Sequence, residues 1–214
     1  MSEELQQGTD AWKRERCGSL GASSIADALA KTKTGWGTSR ANVLARLTIE
    51  RLTGVPQDTY QNQAMLDGIA REPEARHAYQ FDAGVLVKQI GLEKHPTIPG
   101  THASPDGLIE AAGILEIKCP IGGTHLETLL GAPIPQKYLY QIQWQLACTG
   151  RAWGDFVSYH PAFPEAMRLH TTRIKRDDRL IADLEAQVRV FLAELDAKLE
   201  ALTKRYGTPA LEAA

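Results

Sequence analysis

The chain has 214 residues, 43% hydrophobic and 23% charged, with a formal net charge of −2; that composition excludes disorder over most of the length and suffices for one sizeable core. No window approaches 18 consecutive apolar residues, so no membrane-spanning helix is expected, and the N-terminus MSEELQQGTD lacks the apolar stretch of a signal peptide. Cys17, Cys119 and Cys148 are too few and too scattered for a disulfide framework or a CxxC metal knuckle; the expectation is a cytoplasmic protein of one domain.

The first third, about 11–82, reads as helical. Ser23 and Ser24 precede the apolar run IADALA, which Gly35 and Gly37 follow as breakers. Thr38 and Ser39 can cap a helix from Arg40 to Leu52, stopped by Gly54 and Pro56. A third helix is predicted from Asn62 to Phe81, with Pro73 inside it, so a kink or an unpaired carbonyl is expected. From about 84 to 176 the period changes. VLVKQIGLEKH, GLIEAAG and ILEIKCP are short runs bounded by Gly and Pro, the pattern of strands. A helix from Pro135 to Cys148 and two further strands, WGDFVSYH and RLHTTRIK, follow. Asp177 opens a final amphipathic helix to about Arg205, with Leu180, Leu184, Val188, Phe191, Leu195 and Leu199 at three- and four-residue steps. Residues 207–214 are expected to be a flexible tail. This order predicts an α/β (α+β) fold, a central mixed β-sheet flanked by helices, with one domain over 1–206.

Charge is unevenly divided. Eight bases stand against three acids between Ala11 and Leu52, and eight acids against five bases from Asp177 to the C-terminus. Such an asymmetry places a phosphate-binding face at one end and a solvated or partner-binding helix at the other; scatter over solvated faces explains it equally well.

The densest chemical signal is SPDG followed by EIKCP. Asp106 stands ten positions before Glu116, and the two-residue period of a strand puts Glu116 and Lys118 on one face with Ile117 on the other. A turn at Ala111-Ala112-Gly113 would pair the Asp106 strand with this one and bring two carboxylates and an ammonium together. Hard carboxylate oxygens suit Mg²⁺, which takes one or two of them plus phosphate oxygens, and a lysine beside them can orient water or offset charge. Alone, Pro-Asp-Gly is fully explained as a turn, and an exposed Glu-x-Lys pair is commonplace. Joined at this spacing they favour a site. In GIARE, Gly68 and Glu72 share a helical face, so Glu72 can supply a third carboxylate and Gly68 can admit a backbone or DNA.

The ordered set GIARE, SPDG, EIKCP and YLYQIQWQ, with AWKRERCGSLGAS upstream, resembles the phage lambda exonuclease and YqaJ-like viral recombinase family of the PD-(D/E)xK nuclease superfamily, over about Ala11 to Arg176. The resemblance implies a restriction-endonuclease-like core. It implies Asp106, Glu116 and the Ile117 carbonyl as ligands of Mg²⁺ (with Mn²⁺ as a substitute), Glu72 as an upstream acid reaching the metal, Lys118 as catalytic lysine, and Gln143, beside Gln141, as a glutamine that orders the site. Arg16, Ser23 and Ser104 fall on positions that hold a 5′-phosphate, and Met65 near a residue that wedges apart the last base pair. One departure stands out. Where the family places a basic residue after the lysine motif, this chain has GGTH, leaving Thr124, His125 or another base to fill the place. The implied activity is 5′-to-3′ digestion of one strand of linear double-stranded DNA, leaving 3′ overhangs for recombination with a single-strand annealing protein, by a trimeric ring in a bacterial host cell. Rival readings are an endonuclease on the same fold and a non-catalytic DNA-binding or assembly module.

The remaining reactive residues invite blander readings. Cys119 reads as a small core hydrophobe, and the histidines show no HxH or HExxH spacing, which argues against zinc. Trp12, Trp144 and Trp153 read as packing anchors, whereas Trp36, set among glycines and bases, is a candidate for contact with DNA or a neighbouring subunit.

Overall fold

A computed structural model describes residues 6–33, 35–58 and 62–207; the expected tail from 208 onward lies outside them. In chain order the elements are α1 (Asp10–Arg16), β1 (Leu20–Gly21), α2 (Ile25–Ala28), β2 (Lys31–Thr32), β3 (Gly35–Trp36), α3 (Thr38–Thr53) and α4 (Gln63–Ala83). The sheet region follows, with β4 (Val87–Lys88), β5 (Glu93–Lys94), β6 (Thr101–Ala103), β7 (Gly107–Ile109) and β8 (Gly113–Lys118). Then come α5 (Gly122–Leu129), α6 (Gln136–Thr149), β9 (Trp153–Tyr159), β10 (Leu169–Lys175) and α7 (Asp178–Tyr206). The α/β prediction with a mixed sheet holds.

The main sheet runs β10-β9-β8-β7-β4. Its β8–β9 pair is parallel, the other pairs antiparallel. Parallel neighbours need a crossover, and α5 with α6 supplies it between β8 and β9. A smaller sheet orders β1-β6-β5, with β1 and β6 parallel. The β7–β8 turn comprises Glu110, Ala111 and Ala112, since Ile109 pairs with Gly113. Glu110 takes a left-handed φ of 47°, and Arg151 Nη1 donates to the carbonyls of Ile109, Glu110 and Gly113, tying the turn closed.

The two faces of β8 are buried differently. Ile117 and Leu115 pack with Ala75 and Tyr79 of α4, whereas Ile114 packs with Ile142 and Leu146 of α6 and Ile181 of α7. Leu184, Val188, Phe191 and Leu195 of α7 join Leu20, Ile25, Val43, Leu44 and Leu47 in the largest cluster, as the stripe predicted. Pro73 sits within the continuous helix α4; a proline ring nitrogen cannot donate, so it leaves the Ile69 carbonyl without its usual partner. The carboxylates of α7 account for part of the charge asymmetry, because Glu194 pairs with Arg40 at 2.7 Å and Asp196 with Arg51 at 2.7 Å. Two of the N-terminal bases are therefore consumed inside the molecule. Helix α5 departs from the sequence expectation, since its glycines gave no helical signal; buried His125 ties it to the sheet through Ser158 Oγ and the Met167 carbonyl, each at 2.8 Å.

Candidate active site

Strands β7 and β8 carry the predicted constellation, and their pairing brings it together. Asp106, just before β7, accepts through Oδ2 from the Ile117 N–H at 2.6 Å; its other carboxylate oxygen hydrogen-bonds no described residue. Lys118 Nζ lies 2.5 Å from Glu116 Oε1, so both side chains do share a face of β8. Glu116 is buried and nearly saturated, since Gln141 Nε2 donates to Oε1 and Gln145 Nε2 to Oε2, both at 2.6 Å.

These two glutamines replace the one the sequence suggested. Gln143 lies on the same helix but turns away from Glu116; it donates to the Lys175 carbonyl and accepts from the Asp177 N–H, fastening the start of α7. The reason is helical geometry. Residues four apart share a face of a helix and residues two apart do not, so Gln141 and Gln145 reach Glu116 together and Gln143 cannot.

Electrostatics at the hairpin favour a cation. Asp106 titrates well above the usual carboxylate range because of burial and the repulsion of Glu116 and Glu72, only partly relieved by Lys118. Glu72, from α4, is also raised, by burial and by Glu116 against the pull of Lys118 and Arg76. Burial alone would depress Lys118, but Glu116 and Asp106 outweigh it and hold its ammonium charged above the ordinary lysine range. Three carboxylates stand against the Lys118 ammonium and the Arg76 guanidinium, which leaves the acids in excess. Among the described residues no three His, Cys, Asp or Glu side chains are gathered at metal-binding distance. The donor chemistry still fits Mg²⁺, which needs only one or two protein carboxylates and keeps several waters.

Beside the hairpin opens a cavity of about 700 Å³. Asp106, Glu72 and Arg76 line one part of it; Trp12, Lys13, Arg16, Ser24, Arg46, Glu50 and His102 line another. Arg16 projects from α1, its guanidinium 3.9 Å from the ring centre of Trp12, and its Nε donates to His102 Nε2 at 2.9 Å. Its two terminal nitrogens hydrogen-bond no described residue. Burial and the nearby Arg46, partly offset by Glu50, lower its pKa to about 10, so it remains a cation at neutral pH. Arg46 is held by Glu50 at 3.2 Å and by Ser24 Oγ at 3.4 Å. Two guanidinium groups facing a partly desolvated cavity make a site for an anion.

The expected phosphate residues therefore divide. Arg16 lines the cavity. Ser23 is exposed outside it, and its neighbour Ser24 takes the place on the wall; the turn at residues 22–24 points the second serine inward. Ser104 acts at one remove, since its hydroxyl accepts from Trp12 Nε1 at 3.3 Å, alongside the Gly91 carbonyl at 2.7 Å. Thr124 is exposed and His125 is buried against Ser158, and neither lines the cavity; Lys13, Arg46 and Arg76 are the further basic residues on its wall. Met65 is 51% exposed in the first turn of α4, beside exposed Leu66 and Ile69. Gly68 meets a backbone, its missing Cβ lying 3.4 Å from the Cys119 carbonyl oxygen. Burial together with Glu72 raises the Cys119 thiol to about 12, in keeping with a packing residue. Sequence reasoning missed Arg46, His102 and Gln145; the available signals were the Arg46–Glu50 spacing on a helix and the glutamine repeated at four residues.

A mixed sheet whose Pro-Asp-Gly and Glu-x-Lys segments converge beside a cavity that Arg16 and Arg46 line defines a PD-(D/E)xK-type arrangement. The YqaJ-like viral recombinase domain matches residues 11–152, and the chain belongs to that family. It is similar to the alkaline exonuclease LHK-Exo from Laribacter hongkongensis, at 45% identity over 92% of this chain and 97% of that one, with a TM-score of 0.85. The same enzyme in complex with dAMP gives a TM-score of 0.86 at the same identity and coverage. A phage-related exonuclease from Haemophilus somnus 129PT shares the fold, with a TM-score of 0.71 at 14% identity over 86% of this chain and 96% of that one. No curated protein matches the chain.

Proposed function

We propose that this protein is a Mg²⁺-dependent exonuclease that digests one strand of linear double-stranded DNA from its 5′ end, leaving 3′ single-stranded overhangs for strand-annealing recombination. The observation that carries the reading is the shared cavity: Asp106 and Glu72 line the same space as Arg16 and Arg46. An anion held by the two arginines sits beside the carboxylate centre, which is the arrangement that cutting next to a terminal phosphate requires. The 45% identity to an alkaline exonuclease, and that enzyme's complex with dAMP, support it.

Asp106, Glu116 and the Ile117 carbonyl would hold the metal, with Glu72 completing the charge around it; Mn²⁺ would substitute. A divalent ion at such a site polarises the scissile phosphate and lowers the pKa of bound water. Lys118, kept protonated by Glu116 and Asp106, orients the attacking water or offsets phosphate charge. Gln141 and Gln145 fix the Glu116 carboxylate, and Arg16 with Arg46 holds the terminal phosphate. Met65, exposed in the first turn of α4, would meet the end of the duplex. A ring-shaped homotrimer and an annealing partner complete the proposal, and light scattering of the purified protein tests the first.

The decisive experiment compares linear duplexes with 5′-phosphate or 5′-hydroxyl ends and a circular duplex, with and without Mg²⁺. Digestion of linear DNA only, faster from phosphate ends and abolished by chelation, is expected. Cleavage of the circle would establish an endonuclease instead, and no cleavage of any substrate would leave a binding module.

A further inference from the structure

Arg16 does not present its guanidinium to the cavity unaided. Its face rests on Trp12 at 3.9 Å, and its Nε edge is taken by the imidazole of His102 at 2.9 Å. His102 is 2% exposed, on β6. Its opposite ring nitrogen, Nδ1, lies 2.8 Å from Ser19 Oγ. A guanidinium offers only donors, so Nε2 must carry the lone pair and Nδ1 the proton, which it donates to Ser19. Burial, with Arg16 and then Arg46 adding repulsion, holds the His102 pKa at about 3, so the ring is a neutral acceptor over the working range. Gly21 makes room for the pair, because a Cβ there would lie 2.9 Å from His102 Nε2 and 3.4 Å from Arg16 Nη2. With one face and one edge engaged, the two terminal amino groups remain for a ligand.

We propose that His102 is a positioning residue for the terminal phosphate: by accepting from Arg16 Nε it aims the guanidinium fork into the cavity and so sets the preference for 5′-phosphorylated ends. This rests on the phosphate-pocket reading above. A planar fork grips a phosphate only when both of its terminal donors face it. A guanidinium free to rotate would spend one of those donors on solvent or protein.

The test measures the ratio of kcat/KM on linear duplexes bearing 5′-phosphate and 5′-hydroxyl ends, and in parallel the affinity of the protein for dAMP against deoxyadenosine by calorimetry. Wild type is expected to prefer the phosphate in both assays, and Arg16→Ala to lose that preference. His102→Leu, which has no acceptor, should reduce the ratio by about tenfold, the equivalent of one charge-assisted hydrogen bond. His102→Gln, which places an amide oxygen near the former Nε2, should retain most of it. Gly21→Ala is a second variant that displaces the ring while keeping the histidine, and it should lower the ratio as His102→Leu does. Equal losses on both ends in His102→Leu and Gly21→Ala would make the histidine merely structural and overturn the proposal. A preference lost in Arg16→Ala yet kept in both of those variants would overturn it while leaving the pocket standing. A wild-type ratio of one would remove the pocket, and the role of His102 with it.

Discussion

Asp106 and Lys118 sit together, yet they fail differently when removed. Asp106 is a buried acid whose charge is opposed by Glu116 and Glu72, so Asp106→Ala relieves repulsion while freeing only the Ile117 N–H. A folded protein with no measurable hydrolysis is expected, checked by circular dichroism and a labelled-end assay; substantial activity in the purified variant would sink the assignment. Lys118→Ala should still bind DNA but cleave slower by about 10² or more, the usual loss on deleting a group that handles a proton or charge in the transition state. His102 makes a separate, pH-linked contribution to stability. Its folded pKa of about 3 lies below the ordinary histidine value of 6.5, so the unfolded chain binds a proton that the folded one refuses. The contribution is present above about pH 6.5 and is lost as pH falls toward 3, at up to about 1.4 kcal/mol per pH unit. Urea denaturation at pH 7 and pH 5 should show a shallower decline in His102→Gln than in wild type; parallel declines would contradict the assignment.

The β7–β8 hairpin and helix α6 together make the site, and each depends on close approaches that small residues permit. Gly113 begins β8 directly beneath Trp153 of β9, and a Cβ there would lie 2.2 Å from the ring. The indole cannot retreat freely, since the Arg173 guanidinium lies 3.5 Å from its centre and is itself bound to buried Asp155. Gly113→Ala should therefore cost about 1–3 kcal/mol, as overpacking does, seen as a lower denaturation midpoint at unchanged slope. Sequence periodicity located these elements well, because strand alternation and the α7 stripe are local properties. It failed for α5, where Gly122 and Gly123 open a helix stabilised by His125 reaching across to β9 and to the segment before β10. That contact joins residues more than thirty apart in the chain, and no local pattern announces it.

The distribution of charge over the whole molecule follows from which charges meet. The acids of α7 are of two kinds. Glu194 and Asp196 pair with Arg40 and Arg51 of α3, while Asp183 and Glu200 are exposed and form no ion pair with a described residue. Asp183→Lys and Glu200→Lys should leave the digestion rate at moderate salt nearly unchanged, because α7 buries its apolar stripe in the core and contributes nothing to the cavity wall. Glu194→Lys should instead lower the melting temperature, since it sets a second cation against buried Arg40, a break of a buried pair that costs on the order of 3 kcal/mol and less where one partner is partly exposed. A sharp loss of activity in the first two variants would put α7 on the DNA path. Of the N-terminal bases that remain, Lys13, Arg16 and Arg46 line the cavity, whereas Arg14, Lys31 and Lys33 do not.

The α/β class, the Asp106–Glu116–Lys118 set and the basic character of the N-terminal third are legible in the amino-acid order alone. Each of these is carried by composition, by a period of two or 3.6, or by a motif confined to one hairpin. Only the folded chain shows which glutamines hold Glu116, which serine faces the cavity, and that Arg46 shares the cavity wall with Arg16. It also shows that some of the apparent excess charge is neutralised by α7. These are questions of direction and distance between segments far apart in the chain. A helix two residues out of phase presents a different side chain, and a base on α3 reaches a cavity that α1 also lines.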